Sequence, residues 1–179
     1  MRILHSLTVA FFCMTITPAI AGVWQHTEDF ESRDPAKTGW FAVPGAGFDY
    51  EKNLAHTGKG NAWVRNQSGW SAVNVWLTPP TQATNCTAQV WIRMSDGITD
   101  GYFSVRSGNG STSGPVIREK KLVGPNQSNP SNANYNLVSF DFLPSGGPLL
   151  FYVGNWGNGK DNWLQIDDFG VSCSTSFPP

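Results

Sequence analysis

The sequence is poor in charge, since Asp, Glu, Lys and Arg make up 14% of its 179 residues and the formal net charge at pH 7 is −1. A nearly balanced chain presents no basic field for nucleic acid and no polybasic anchor for a membrane. Asn, Ser, Thr, Gly and Gln must supply most of the polar surface, which suits hydrogen bonding to neutral partners. We therefore expect no nucleic acid and no membrane among the partners.

Long apolar runs are also scarce, and the one present lies near the amino terminus. Arg2 is followed by an apolar stretch over residues 7–16, and then by the small-x-small sequence Ala19-Ile20-Ala21. This order is typical of a secretory signal peptide, and the stretch is too short to span a bilayer. We predict that residues 1–21 are a signal peptide and that the remaining chain is exported, to the extracellular space or the periplasm.

Cysteine is rare. Apart from Cys13 inside the signal segment, the chain contains only Cys86 and Cys173. An even pair in an oxidising compartment predicts one disulfide bond, with two unpaired thiols as the alternative. A zinc site needs more ligands than these cysteines and the remaining histidines provide at any useful spacing.

Helical periodicity is missing too. Apolar and polar residues alternate in short runs, as in Val73, Val75 and Leu77, and Gly, Pro and Asn clusters separate the runs. The pattern predicts an all-β fold, a two-sheet antiparallel β-sandwich or jelly roll. We expect one such domain over residues 22–173, a disordered tail over residues 174–179, and a monomer.

Tryptophan, in contrast, is abundant, with eight residues. Trp76 and Trp91 fall on the polar register of their strands, whereas Trp63 is expected in the core and Trp70 at the start of its strand. Aromatic rings beside Arg and Gln suit sugars, because pyranose C–H patches stack on rings and hydroxyls need donors and acceptors. Alternatively, loops or neighbouring strands cover the rings, and Trp156 makes a loop-tip contact. The residues expected to bind a ligand are Trp91, Arg93, Gln89, Tyr102, Arg106, Tyr152, Trp156 and Trp76.

Five stretches, in this order along nearly the whole exported chain, carry a resemblance: EDFES, HTGKGNAWV, GWSAVNVWL, TAQVWIR and WLQIDDFGV. Together they resemble the β-sandwich (jelly-roll, galactose-binding-like) carbohydrate-binding modules of secreted glycosidases. The resemblance implies the sandwich fold and, less specifically, sugar binding, since such sandwiches serve many roles.

The resemblance further implies a structural calcium ion between the first and last strands. The matching residues are Glu31, Asp167 and Asp168, with carbonyl oxygens of the 56–60 loop, Lys59 among them, as further ligands. Such a mixture of carboxylate and carbonyl oxygens suits calcium. Alternatively, these acids are exposed strand-end charges or pair with Lys59 or Arg33.

No catalytic motif is present: the sequence has no Gly-x-Ser-x-Gly elbow, no phosphate loop and no His-Glu-x-x-His. Glycoside hydrolysis needs two carboxylates flanking one bond, and Asp49, Glu51, Asp96 and Asp100 lie near turns that folding could bring together. We predict a non-catalytic protein that binds a poly- or oligosaccharide. The alternatives are a cell-surface adhesive or protein-binding domain, and a jelly-roll glycosidase or polysaccharide lyase.

Overall fold

The computed structural model describes residues 21–124 and 134–176, and within them the chain is almost entirely β-structure. One short 3₁₀ helix, Pro35–Thr38, interrupts the strands, and no helix in these two ranges is long and apolar enough to cross a membrane. The strands are β1 (Ala21–Glu28), β2 (Trp40–Ala42), β3 (Ala46–Tyr50), β4 (Gly60–Leu77), β5 (Ala83–Met94), β6 (Gly101–Gly108), β7 (Ser113–Leu122), β8 (Asn136–Phe142) and β9 (Leu149–Ser176).

The two longest strands, β4 and β9, pair with each other along most of their length and run through both layers of the fold. The first layer has the order β2, the second half of β4, the first half of β9, β6 and β7. In the second layer, the second half of β9 pairs with β5 on one edge, and β5 pairs with β8. On its other edge, the second half of β9 pairs with β1 and with the first half of β4. β3 pairs with that half of β4 in turn.

A register shift divides β4 between these layers. In its first half the even-numbered Ala62 and Val64 face the core, whereas in its second half the odd-numbered Val73 and Val75 do. The pairing with β9 shifts between Asn66 and Ser68. Between these two pairs β4 advances two residues, whereas β9 advances four, from Asn158 to Asn162. Alternation is interrupted at such an irregularity, and the residues of β4 that point inward are even-numbered before it and odd-numbered after it.

Aromatic rings from both layers meet in the core. Phe103 of the first layer lies 4.6 Å from Phe140 of the second between ring centroids, and Phe151 lies 5.6 Å from Phe169. These residues come from the apolar positions of alternating strands, and their burial removes large rings from water. The predicted two-layer antiparallel sandwich is confirmed.

The predicted disulfide is also present, because Cys86 of β5 lies directly opposite Cys173 of β9 and the two are bonded.

The end of the chain differs from the expectation of a disordered tail. Strand β9 continues through Ser176, and Thr175 is buried where it pairs with β5. Residues 177–179 and most of the predicted signal peptide, residues 1–20, lie outside the described residues.

Candidate functional site

An open cleft of about 440 Å³ lies on the outer face of the first layer. Its floor is formed by side chains that alternate with core residues on β4, β9 and β6, and β7 closes one side. The residues that line it are Trp70, Asn74, Tyr102, Arg106, Ser113, Glu119, Leu150, Tyr152 and Trp156. Rings, amide, guanidinium and carboxylate therefore border one space.

Trp70 is the centre of the aromatic cluster in this cleft. Its ring centroid lies 5.4 Å from Tyr152 at a nearly perpendicular angle, 5.6 Å from Trp156 and 6.3 Å from Tyr102. The indole can lie close to the sheet because position 154 is glycine, where a Cβ would come within 2.8 Å of Trp70 Cζ2. Trp156 stands at the open side and is 51% exposed.

The two tyrosines of the cluster are held by carboxylates. The Tyr102 hydroxyl donates to Asp100 Oδ1 at 2.5 Å, and this bond, with the nearby Lys121 ammonium, lowers the pKa of Asp100. The same hydrogen bond raises the pKa of Tyr102 to about 12. Tyr152 donates to Glu119 Oε2 at 3.0 Å, and burial raises its pKa. Both rings are thereby fixed in orientation and stay neutral at physiological pH.

Arg106 and Glu119 give the cleft its charge. The guanidinium carbon of Arg106 lies 5.6 Å from the centroid of the Tyr152 ring, in reach of a cation–π contact. Among the lining residues that the structure describes, these two carry one charge of each sign. The cleft thus offers fork-like donors and carboxylate acceptors without net charge, which favours a neutral, hydroxyl-rich ligand.

Four of the eight residues expected to bind a ligand lie together in this cleft: Tyr102, Arg106, Tyr152 and Trp156. Trp76 lies on the same outer face, where its ring fills the space that a side chain at position 108 would take. It does not line the cleft. Trp70, which was expected to pack at the start of its strand, was missed as a site residue. Trp70 has an even residue number, as do Asn74 and Trp76 of the same strand, and this alternation could have predicted that its side chain faces outward with theirs.

The other three expected residues lie on the opposite side of the sandwich, on β5 of the second layer. Trp91 is half-buried and stacks on the His56 ring at 4.1 Å with an interplanar angle of 15°. Arg93 donates its Nε–H to Gln165 Oε1 at 2.6 Å, and Gln89 is exposed. The expectation of one shared face is corrected, because β5 and β6 belong to different layers.

The residues expected to hold calcium surround the 56–60 loop, but their oxygens accept hydrogen bonds from it. Asp167 Oδ2 accepts from the backbone N–H groups of His56 and Thr57 at 2.7 and 3.1 Å. Glu31 Oε1 accepts from those of Lys59 and Gly60 at 2.7 and 2.8 Å. The loop is thus tied to the sheet by carboxylates through its own donors.

Asp168 completes this arrangement, with one carboxylate oxygen 2.6 Å from His56 Nδ1 and the other accepting from the Thr57 hydroxyl. The Lys59 carbonyl, expected as a ligand, accepts from the Glu51 N–H at 2.8 Å. Within the described ranges, no group of three or more His, Cys, Asp or Glu could hold a metal ion. As arranged, these residues do not fit calcium, and the ion stays a prediction that rests on the resemblance.

The acids considered for hydrolysis are dispersed. Asp100 pairs with Lys121 at 3.0 Å, Glu51 pairs with Lys59 at 3.0 Å on another edge, and Asp49 lies on β3 of the second layer. Asp96 is an exposed turn residue. Among the described residues that line the cleft, Glu119 is the single carboxylate, whereas glycoside hydrolysis uses two.

No protein-family model and no curated protein matches the sequence, but solved structures do. The xylan-binding domain CBM22-1 of Paenibacillus barcinonensis Xyn10C superimposes with a TM-score of 0.56 at 17% identity, covering 83% of this chain and 92% of that one. The fold is that of the β-sandwich carbohydrate-binding modules. At this identity the likeness establishes the fold alone.

Two further neighbours show how widely this fold is used. The K1 cleaved adhesin domain of Lys-gingipain from Porphyromonas gingivalis W83 has a TM-score of 0.56 at 12% identity, covering 83% of this chain and 97% of that one. A Stig cyclase from Fischerella sp. TAU has a TM-score of 0.55 at 14% identity, covering 78% and 86%. Binding modules, adhesins and an enzyme share the sandwich, so function must be argued from the site.

Proposed function

We propose that this protein is a secreted, non-catalytic carbohydrate-binding protein that holds a neutral poly- or oligosaccharide in the first-layer cleft. The observation that carries the proposal is the cluster of Trp70, Trp156, Tyr102 and Tyr152 beside Arg106 in one open space. Sugar rings present apolar C–H patches to such aromatic faces, and their hydroxyls meet the guanidinium and carboxylate groups.

The half-exposed Trp156 is the ring best placed to stack on a sugar that lies along the cleft. Trp70 and the two tyrosines form a fixed wall behind it, because Asp100 and Glu119 restrain the tyrosine hydroxyls. An open cleft leaves part of the ligand in water, so we expect a modest affinity built from a few stacking contacts.

Three observations support the remaining parts of the proposal. The disulfide between Cys86 and Cys173 suits an oxidising compartment outside the cytoplasm. The xylan-binding domain named above has the same fold. We propose a non-catalytic role because glycoside hydrolysis uses two carboxylates, and Glu119 is the single carboxylate among the described lining residues.

The proposal is tested by titrating the exported chain, residues 22–179, with a panel of neutral oligosaccharides that includes xylohexaose, cellohexaose and mannohexaose. We expect saturable binding to at least one hexaose and no release of reducing ends from the matching polysaccharide. Release of reducing ends that Glu119→Gln abolishes would overturn the non-catalytic assignment.

The adhesin-like neighbour makes a protein partner the second candidate function. A pull-down with the same chain distinguishes protein binding from carbohydrate binding. Capture of a stoichiometric protein partner that free hexaose does not displace, together with no saccharide binding, would replace the carbohydrate proposal with the adhesive one.

A further inference from the structure

A second groove, of about 390 Å³, lies on the outer face of the other layer. β4 and β9 supply most of the residues that border it, and β3 and the segment after it supply the rest. The residues that line it are Asp49, Leu54, Trp63, Val64, Arg65, Trp163, Leu164 and Gln165. None of them lines the first cleft, and the strand pairing places them in the second layer rather than the first.

Two indoles dominate this groove. Trp63 is paired with Gln165 across β4 and β9, and Arg65 is paired with Trp163, so Trp63 and Trp163 are diagonal neighbours on one face. Diagonal neighbours lie about 7–8 Å apart at Cα, within reach of large side chains. Trp63 rests on β3 at Gly47, where a Cβ would come within 2.8 Å of Trp63 Cζ2. Both side chains are only partly buried.

Among the described residues that line the groove, the charged ones are Arg65 and Asp49, one of each sign. Arg65 pairs with Asp161 through two hydrogen bonds, with Nε 2.9 Å from Oδ1. Arg93 binds Gln165 and lies 5.9 Å from the Trp163 ring centroid. The Arg65 guanidinium and the Gln165 amide thus border two indoles without a strong field of either sign, which is the chemistry of the first cleft.

We propose that this groove is a second carbohydrate-binding site, which takes a neutral saccharide across Trp63 and Trp163 independently of the first cleft. Arg65 and Gln165 hydrogen-bond the hydroxyls of that saccharide. Because the two sites lie on opposite outer faces, one molecule can hold two saccharide chains. Bivalency of this kind raises the apparent affinity for a polysaccharide above that of either site.

Calorimetric titration with the hexaose that binds best tests this proposal, using the wild type, three test variants and one control variant. The wild type should bind two hexaoses per chain. Trp163→Ala should bind one, with the remaining affinity unchanged, and Trp156→Ala should leave the second-groove site intact. Arg65→Ala removes an exposed side chain and should weaken that site by about threefold to tenfold, the effect of one hydrogen bond. Leu137→Ala, an exposed change on the same layer, is the matched control.

A second readout is bridging of a soluble polysaccharide, followed by turbidity. The wild type should form aggregates with it, and Trp163→Ala should bind the polysaccharide without forming them. One hexaose per wild-type chain, bound more weakly by Trp156→Ala and equally well by Trp163→Ala and Arg65→Ala, would overturn the second site and leave the first-layer function standing. Binding that only the Trp163 variant abolishes would instead overturn the first-layer function.

Discussion

Replacing Trp156 by Ala is the most direct perturbation of the first cleft. The side chain is 51% exposed, and its described ring contact is with Trp70 at 5.6 Å. Removing it therefore costs the fold little. An aromatic stacking contact contributes about 0.5–1.5 kcal/mol, and 1.4 kcal/mol corresponds to a factor of ten. We expect Trp156→Ala to weaken saccharide binding at the cleft by about twofold to tenfold, with an unchanged melting temperature.

Trp70→Ala should behave differently, because this ring is the half-buried centre of the cluster. It contacts Tyr102, Tyr152 and Trp156 and covers Gly154. Truncation of a packed aromatic ring costs about 3–5 kcal/mol when the ring is fully buried, so a half-buried one should lose less. We expect Trp70→Ala to lower both stability and affinity, and Trp70→Phe to restore most of the stability.

Calorimetry for affinity and thermal unfolding for stability, run on the same preparations, separate these effects. Leu143→Ala is the control, because Leu143 is 68% exposed and lies in the loop between β8 and β9, away from the cleft residues. The reasoning is refuted if Trp156→Ala binds as tightly as the wild type, or if it unfolds at a clearly lower temperature while Leu143→Ala does not.

Three further predictions concern stability. Replacing Cys86 and Cys173 by Ser should lower the free energy of unfolding by about 2–5 kcal/mol, since the bond closes a loop with a sequence separation of 87; equal denaturation midpoints with and without the bond would contradict this. Burial raises the pKa of Asp167 to about 6 from 3.8, so the folded state binds this proton more tightly than the unfolded chain. Stability should therefore fall by at most about 3 kcal/mol as pH rises from about 4 to 6, and Asp167→Asn should remove that slope in chemical denaturation. Because Glu31, Asp167 and Asp168 already accept hydrogen bonds from the 56–60 loop, calcium added to EDTA-treated protein should leave the melting temperature unchanged, and a clear rise would instead support the ion that the resemblance implies.

The outer faces of the two layers differ in what covers them. On the second layer, the 56–60 loop brings His56 over Trp91, and Asp167 and Asp168 hold that loop in place. On the first layer, Trp70 and Trp156 have no such covering among the described residues, and the cleft stays open. Two outward-facing tryptophans therefore have different surroundings: Trp91 on β5 packs against the 56–60 loop, whereas Trp70 on β4 lines the open cleft.

Alternation along the chain was sufficient to predict the all-β class, the two-layer core and the outward direction of Tyr102, Arg106 and Tyr152. These are local properties, because successive side chains of a strand point to opposite faces. The disulfide was equally accessible, since two cysteines in an exported chain leave one intramolecular pairing.

Tertiary structure alone decided which outward residues share a site. Parity assigns a side chain to a face of its own strand, but it does not say which layer the strand joins or whether a loop lies over it. Trp63 and Trp70 occupy one continuous strand, yet a register shift between them and the passage of β4 from one layer to the other place them on opposite outer faces. Trp91 was covered by His56, 35 residues earlier in the chain. Such long-range packing leaves no periodic signal, because it depends on where distant segments meet.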